Sequence, residues 1–247
     1  MNLYAFLNTL GTLALLIYNL LHIPLRQTMK GGRFREWAAE KRASGSKKWY
    51  YNDNLWLAVE TTLISFFQYF SALTLHAAFG SLVGTGSNYF ATLYSAPLFM
   101  LLGCLLLRLE PLSQIDLISP AFPLALVFVK ISCFATGCCE GIYWKYGLPN
   151  AFTGVLEFPV QLLESGLALV IFLFLHTNRQ RLKSGTVFPV YAMVYSATRF
   201  FSEFFRADPN VFGFLKTYHI LCLIGIALGA AEYYLVSHIR NKHISSS

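Results

Sequence analysis

The chain has 247 residues, of which 55% are hydrophobic and only 13% are charged, and its mean hydropathy is +0.51. This composition excludes an ordinary soluble globular domain and predicts an integral membrane protein. The formal net charge is +7, but the basic residues are spread over short segments between apolar runs, so we expect no nucleic-acid-binding surface.

Seven apolar windows are long enough to cross a bilayer, which requires about 20 mostly apolar residues. They cover roughly residues 3–25, 55–79, 89–107, 115–137, 159–176, 184–205 and 215–237. Because little of the chain lies outside them, we expect one all-α, polytopic transmembrane domain over residues 1–247. The first window has no basic leader and no small-residue cleavage site before Arg26, so we expect a span rather than a cleaved signal peptide.

The basic residues alternate between successive connections. Fourteen of the nineteen Lys and Arg lie in every second connection, beginning with residues 26–54 and ending with the C-terminal tail. Cytoplasmic connections carry an excess of Lys and Arg. The pattern therefore predicts an N-terminus outside, a C-terminus in the cytoplasm, and an outer loop over residues 138–158.

The first two windows are joined by a polar connection, residues 26–54, which holds eight Lys and Arg together with four Trp and Tyr. This composition fits an amphipathic segment on an anionic leaflet, and equally a basic loop that only fixes the topology. In the second window we expect Glu60 to reach water at the cytoplasmic end. We expect His76, near the outer end, to be hydrogen-bonded within the helix bundle.

The fourth window combines an acidic start with two prolines. Asp116 is expected near a helix N-terminus, where a carboxylate complements the helix dipole. Pro120 and Pro123 are expected to bend or break the first half of this helix. Broken helices in membranes usually line cavities, because the freed backbone carbonyls must find partners.

The most unusual stretch follows in the same window, Lys130–Gly141, with the sequence KISCFATGCCEG. Lys130, Cys133 and Gly137 share one helix face. A charge near the centre of the hydrocarbon is disfavoured by about 3 kcal/mol, so such a lysine indicates a function by default. It could be salt-bridged or could hold an anionic lipid head group; we favour the lipid because no acidic residue neighbours it within the helix.

The cysteines of this stretch allow three interpretations. Cys133, Cys138 and Cys139 could bind zinc, but no Cys-x-x-Cys spacing and no nearby histidine is present, so we expect no metal or other cofactor. A disulfide is possible on the outer side, where oxidation is permitted. We favour small packed thiols. Cys104 and Cys222 are expected to fill the core.

Two polar motifs lie in the fifth and sixth windows. Gln161 and Glu164 are three residues apart on one face of the fifth window. The sixth window carries a single polar stripe made of Tyr195, Arg199, Glu203 and Arg206. Two arginines flanking a carboxylate on an apolar helix can form an interhelical clamp or recognise a phosphate. Both can hold, with Glu203 orienting Arg199.

In their order and spacing these motifs resemble those of the bacterial prolipoprotein diacylglyceryl transferases. Asp116, Ile118 and Pro120 approximate the start of the family's signature helix, and Lys130–Gly141 lines up with the signature itself. Residues 158–164 resemble a second family motif, and residues 195–206 match a third motif best of all. The resemblance implies seven spans with the N-terminus outside, in the bacterial inner (cytoplasmic) membrane.

The chain also departs from the family pattern. Lys130 stands where the family has an arginine, Cys133 where it has an asparagine, and Cys138 where it has an acidic residue. The family's His-Gly-Gly at the start of the third span has no counterpart, and residues 94–96 (Tyr-Ser-Ala) are nearest to that place. The phosphate-binding side is thus retained and the proton-handling side is altered.

The resemblance implies transfer of a diacylglyceryl group from phosphatidylglycerol to the cysteine thiol of a prolipoprotein, which is tethered by its signal helix. Lys130, Arg199 and Glu203 are the implied catalytic residues. The implied substrate-binding residues are Tyr195, Arg206, Cys133, Gly137, Glu140, Gly141, Gln161 and Glu164. For the base we can name only His76, Glu140 and the cysteines. The alternative is a non-catalytic relative that binds or moves phospholipid.

Overall fold

The structure is a computed structural model that describes residues 3–21, 32–45, 48–67 and 89–245. These residues are mostly helical. The helices are α1 (Leu3–Leu21), α2 (Arg33–Ala43), α3 (described over 53–67), α4 (Tyr89–Leu107), α5 (Pro111–Ile118), α6 (Ala121–Thr136), α7 (Val160–Asn178), α8 (Val187–Glu203) and α9 (Thr217–Ser245). Two short antiparallel pairs join β1 (Tyr143–Pro149) to β2 (Leu156–Glu157) and β3 (Asn210–Phe212) to β4 (Leu215–Lys216).

Within the described residues, four helices are long and apolar enough to cross a membrane. They are Tyr89–Leu107, Pro111–Thr136, Val160–Asn178 and Thr217–His238. The chain is therefore a multi-pass, largely helical membrane protein. Helix α8, in the sixth window, has 17 residues, and seven spans and the direction of the termini stay predictions. His76 lies outside the described residues.

The chain divides into two compact units, residues 16–119 and residues 120–247 together with 1–15. In the first unit the carboxylate of Glu60 is buried rather than hydrated. It accepts hydrogen bonds from the backbone N–H groups of Phe34 (3.0 Å) and Arg35 (3.2 Å), and pairs with Arg35 Nε at 3.1 Å. The expectation that Glu60 reaches water is wrong, because the carboxylate satisfies exposed donors at the start of α2.

Aromatic side chains of the 26–54 connection pack on one another within the same unit. Phe34 stacks on Trp56 with ring centroids 5.2 Å apart, and Trp37 makes edge contacts with Tyr51 and Trp56. Trp37 remains 39% exposed. The partial exposure is compatible with both interpretations of this connection, which stay predictions.

The fourth window begins earlier than predicted and is interrupted at a proline. Helix α5 starts at Pro111, which fits a first helical position because proline's fixed φ suits it and its missing N–H is not needed there. Asp116 therefore lies well inside α5, and its expected place at a helix N-terminus is wrong. The expected break occurs between α5 and α6, at Ser119 and Pro120, whereas Pro123 falls in the first turn of α6.

Helices α6 to α9 form the body of the second unit. Ser165 of α7 donates a hydrogen bond to the carbonyl oxygen of Val127 in α6 at 3.2 Å. Phe122 of α6 stacks on Tyr191 of α8. Helices α8 and α9 approach closely at Gly229, where a Cβ atom would lie 3.1 Å from the carbonyl oxygen of Pro189. These contacts bring polar residues of three different helices to one place.

The segment after α6, where an outer loop was expected, contains a strand pair. Strand β1 pairs with β2, and the chain just before β1 also pairs with the end of α8. Ile142 N donates to Phe205 O at 2.9 Å, and Ala207 N donates to Glu140 O at 3.0 Å. This pairing fixes the signature stretch beside Arg206.

Candidate functional site

Three cations converge on the buried carboxylate of Glu164. Lys130 Nζ lies 2.5 Å from Glu164 Oε2, Arg199 Nη1 lies 3.2 Å from Oε1, and Arg206 Nη1 lies 4.0 Å from Oε2. The Lys130 side chain is 11% exposed and the other three are 8% exposed or less. Charges so far from water require partners, and here three positive groups from two helices and a helix end share one negative group.

Arg199 also contacts a second carboxylate, that of Glu203, which lies one turn further along α8. The two form an ion pair through Arg199 Nη1 and Glu203 Oε2, and Glu203 is fully buried. Ser202 Oγ donates to Glu164 Oε1 at 3.0 Å and lies 3.4 Å from Arg199 Nη1. The guanidinium plane of Arg199 is therefore fixed by two carboxylates and a hydroxyl.

Arg206 follows the last turn of α8 and is anchored by both charge and backbone contacts. Its Nε lies 2.8 Å from Asp208 Oδ2 and 3.7 Å from Glu203 Oε2. Lys216 Nζ donates to the carbonyl oxygens of Glu203 (2.8 Å) and Arg206 (2.5 Å), which stabilises the C-terminal end of α8. Within the described chain, the buried Arg206 Nη1 makes no hydrogen bond, so it has donors to offer an anion.

Lys130, Glu164 and Arg199 of the charge cluster also line a small pocket. Its apolar wall consists of Leu126, Leu167, Ala168 and Ile171. Its polar and aromatic lining consists of Lys130, Glu164, Tyr195, Thr198, Arg199 and Ser202. A pocket lined by both cations and aliphatic side chains matches a molecule with an anionic head and hydrocarbon chains.

Two glycines allow the signature stretch to fold against this site. Gly137 ends α6 in the left-handed conformation (φ 70°), and its carbonyl oxygen accepts a hydrogen bond from Asn150 Nδ2 at 3.1 Å. Gly141 approaches Phe158 so closely that a Cβ atom would collide with the carbonyl oxygen of Phe158. Glu157 joins these elements, because its Oε2 accepts from Gly141 N (3.2 Å) and its Oε1 from Asn150 Nδ2 (3.1 Å).

The three cysteines of the signature stretch also come together. The Sγ atoms of Cys133, Cys138 and Cys139 all lie within 4.8 Å of one another. Cys133 is buried and the other two are partly exposed. Hydrogen bonds from Cys133 and Cys138, together with the nearby cations Lys130 and Arg206, lower the pKa of the Cys139 thiol.

Most of the residues expected to form the site are indeed close to one another. Lys130, Glu164, Arg199, Glu203 and Arg206 form the cluster described above, and Tyr195 lines the pocket. Lys130 has no acidic neighbour within its own helix, but Glu164 of α7 forms a salt bridge with it. Binding of a lipid head group by Lys130 stays a prediction.

Two residues that were expected to bind substrate, Glu140 and Gln161, do not contact the cluster around Glu164 through their side chains. The side chain of Glu140 is exposed, and it is the backbone oxygen of this residue that pairs with Ala207. Gln161 Nε2 donates to the carbonyl oxygen of Cys138 at 2.9 Å and to Glu157 Oε1 at 3.2 Å, so it supports the signature stretch. The structure thus separates these two from the cluster around Glu164.

Several residues of the site were not expected from the sequence. Glu157, Asn150, Ser202, Asp208 and Lys216 all bind the cluster or the loop beside it. Ser202 lies three residues after Arg199, and this spacing could have revealed it. The others act through a strand pair or a helix end, and no spacing within the sequence indicates such contacts.

Comparisons with known proteins agree with the motifs. The family sequence model described as prolipoprotein diacylglyceryl transferase matches residues 63–235, which is more than half of the chain. The phosphatidylglycerol–prolipoprotein diacylglyceryl transferase of Clostridium tetani is 31% identical over 157 residues, covering 60% of this chain and 63% of that protein. The corresponding transferase 2 of Clostridium perfringens is 28% identical over 169 residues, covering 64% and 65%.

A more distant relative, the enzyme of the same name from Chlorobaculum tepidum, is 31% identical over 132 residues, covering 49% of this chain and 46% of that protein. The chain thus spans 46–65% of the length of these three curated relatives. The family match includes the signature stretch, the fifth-window motif and the stripe of α8. The chain belongs to the prolipoprotein diacylglyceryl transferase family.

Proposed function

We propose that this protein transfers a diacylglyceryl group from phosphatidylglycerol to the cysteine thiol of a prolipoprotein. The observation that carries the proposal is the convergence of Lys130, Arg199 and Arg206 on Glu164, beside a pocket whose lining includes aliphatic side chains. Cations and aliphatic side chains side by side suit the anionic head group and the acyl chains of a phospholipid. Family membership supports the same reaction.

In the proposed reaction the acceptor thiolate attacks the glycerol carbon that carries the phosphate. A carbon–sulfur bond forms, the carbon–oxygen bond to the phosphate breaks, and the electron pair leaves with glycerol phosphate. Negative charge therefore grows on the leaving phosphate. Fixed cations at that position lower the barrier, because they are oriented before the reaction begins.

Each charged residue has a distinct role in this proposal. Lys130 and Arg199 bind the phosphate, and Arg206 supplies the donors of its unused Nη1. Glu203 acts as a positioning residue that fixes the guanidinium of Arg199. Glu164 keeps the three cations together when no lipid is bound, since mutual repulsion would otherwise drive them apart.

We further propose seven spans in the bacterial inner membrane, with the N-terminus outside. Single cysteines at Ser44 and Phe152, which is 85% exposed, test this in a background without native cysteines. A membrane-impermeant maleimide applied to intact cells should label Phe152→Cys and spare Ser44→Cys. Labelling of both positions from outside would contradict the topology.

A second candidate function is lipid binding without catalysis. It is favoured by one observation, that Tyr94, Ser95 and Ala96 occupy the place of the family's histidine, so the base for the acceptor is unassigned. Phosphatidylglycerol labelled in its head group distinguishes the two functions. Release of labelled glycerol phosphate that depends on a thiol acceptor supports the transferase, whereas binding without release supports the alternative.

A further inference from the structure

The sulfur atoms of the three cysteines Cys133, Cys138 and Cys139 lie close enough together to bind one metal ion, although the sequence has no metal-binding motif. Their Sγ atoms lie within 4.8 Å of one another. Zinc–sulfur bonds of 2.3 Å in a tetrahedron place the sulfurs about 3.8 Å apart. Movements of about 1 Å or less per sulfur, within the reach of side-chain rotation, therefore suffice to bind one zinc ion.

The backbone conformation after α6 brings these sulfur atoms together. Helix α6 ends at Gly137 in the left-handed conformation, and Cys138 N donates to Cys133 O at 3.0 Å, so the chain folds back onto the last turn. Cys139 then has φ 62°, a conformation that residues other than glycine rarely adopt. Strain of this kind persists at functional sites when the surroundings enforce it. Here Gln161 holds the Cys138 carbonyl at 2.9 Å.

The charges around the cluster suit a metal bound by three thiolates. Three thiolates and one Zn²⁺ carry a net charge of −1, which is costly to bury without compensation. Lys130 lies one helical turn before Cys133, and Arg206 pairs with Gly141, two residues after Cys139, so two cations belong to the segments around these cysteines. Sulfur ligands also select thiophilic ions such as zinc over Mg²⁺ or Ca²⁺.

We propose that Cys133, Cys138 and Cys139 bind one zinc ion, and that the acceptor thiol occupies its fourth coordination position. The second half of this inference rests on the proposed function, and the first half does not. Zinc sites with three protein ligands keep one position for a substrate. A thiol that coordinates zinc is deprotonated, so the ion replaces the missing base.

The bond changes balance without an additional oxidant or reductant. The acceptor thiol loses its proton to water as it binds the ion. The coordinated sulfur then forms the carbon–sulfur bond described above, and glycerol phosphate leaves with the electron pair. The resulting thioether is a weaker ligand than a thiolate, so the product can dissociate from the ion.

Metal analysis tests the site directly. The full-length protein is purified in detergent from zinc-supplemented cells, and its metals are measured by mass spectrometry. We expect close to one zinc per chain in the parent and in the control Cys104→Ser, and loss of zinc from Cys133→Ser and Cys139→Ser. A parent without zinc, or isolated with a disulfide between two of the three cysteines, would overturn the site.

Cobalt substitution keeps the test valid even if a serine variant does not fold. Co²⁺ bound by three thiolates gives visible and charge-transfer bands that report tetrahedral sulfur ligation. A prolipoprotein peptide with its cysteine should strengthen the sulfur charge-transfer band, whereas the same peptide with serine should not. An identical spectrum with both peptides would refute the role of the fourth position.

Transfer assays then separate the two proposals. Loss of diacylglyceryl transfer on zinc removal, with recovery on zinc addition, supports both. Full transfer by protein without metal overturns the role of zinc in activating the acceptor and leaves the proposed function standing. Zinc bound and peptide coordinated, but no transfer from phosphatidylglycerol, supports the site and overturns the proposed function.

Discussion

Replacing Glu164 by glutamine should destabilise the protein more than replacing its partner Lys130 by methionine. In the described part of the chain, the only carboxylate that pairs with Lys130 is Glu164, whereas Arg199 also has Glu203. Glu164→Gln therefore leaves a buried ammonium group without a partner, which costs about 3 kcal/mol. Lys130→Met leaves Glu164 paired with Arg199 at 3.2 Å, so we expect a loss of about 1–2 kcal/mol.

The double variant Glu164→Gln, Lys130→Met tests whether the two stability effects depend on each other. Lys130→Met removes the stranded charge from Glu164→Gln, so it should restore about 2 kcal/mol of unfolding free energy in that background. The rescue should be confined to stability, because the lysine that we propose to bind phosphate is also lost. Turnover of phosphatidylglycerol should therefore stay as low in the double variant as in Lys130→Met.

The measurement is reversible unfolding by sodium dodecyl sulfate in mixed micelles, followed by tryptophan fluorescence, with turnover measured on the same preparations. A double variant less stable than Glu164→Gln would show that the two side chains contribute independently. Recovery of turnover along with stability would show that Lys130 is only a structural partner of Glu164.

The remaining predictions concern Arg199 with its carboxylate partner Glu203, and the close backbone approach at Gly141. Arg199→Lys should lower turnover roughly a hundredfold, because one fixed donor fork is lost, whereas Lys130→Arg should keep most of it. Equal turnover of both variants would contradict the phosphate role. Glu203→Gln should weaken phosphatidylglycerol binding in a titration without unfolding the protein, since Arg199 retains its other carboxylate. Gly141→Ala should lower the melting temperature because its Cβ meets a backbone carbonyl, whereas the control Gly166→Ala, with open space around it, should not.

The part of the site that lies on one helix could be predicted from the sequence. Arg199 and Glu203 are four residues apart, and the contact between them needs only that α8 be a helix. Arg206 continues the same spacing just beyond the end of α8. The family was likewise recognisable from the sequence motifs, and the family match confirms that assignment.

Contacts between elements could not be predicted in the same way. The pairing of Lys130 with Glu164 depends on how α6 packs on α7, and no pattern within either helix encodes it. The convergence of the cysteines depends on two left-handed residues, Gly137 and Cys139, of which only the glycine suggests such a turn. Burial of Glu60 escaped prediction for a similar reason, because its partner lies in a separate helix.

The most direct test of the proposed function is transfer to a defined acceptor. The full-length protein is incubated with phosphatidylglycerol and a peptide that carries a signal helix followed by cysteine, and the products are analysed by mass spectrometry. We expect a diacylglyceryl thioether on the cysteine peptide, none on the serine control, and none with Arg199→Met. Binding of phosphatidylglycerol with neither thioether nor glycerol phosphate formed would contradict the transferase and identify a protein that only binds lipid.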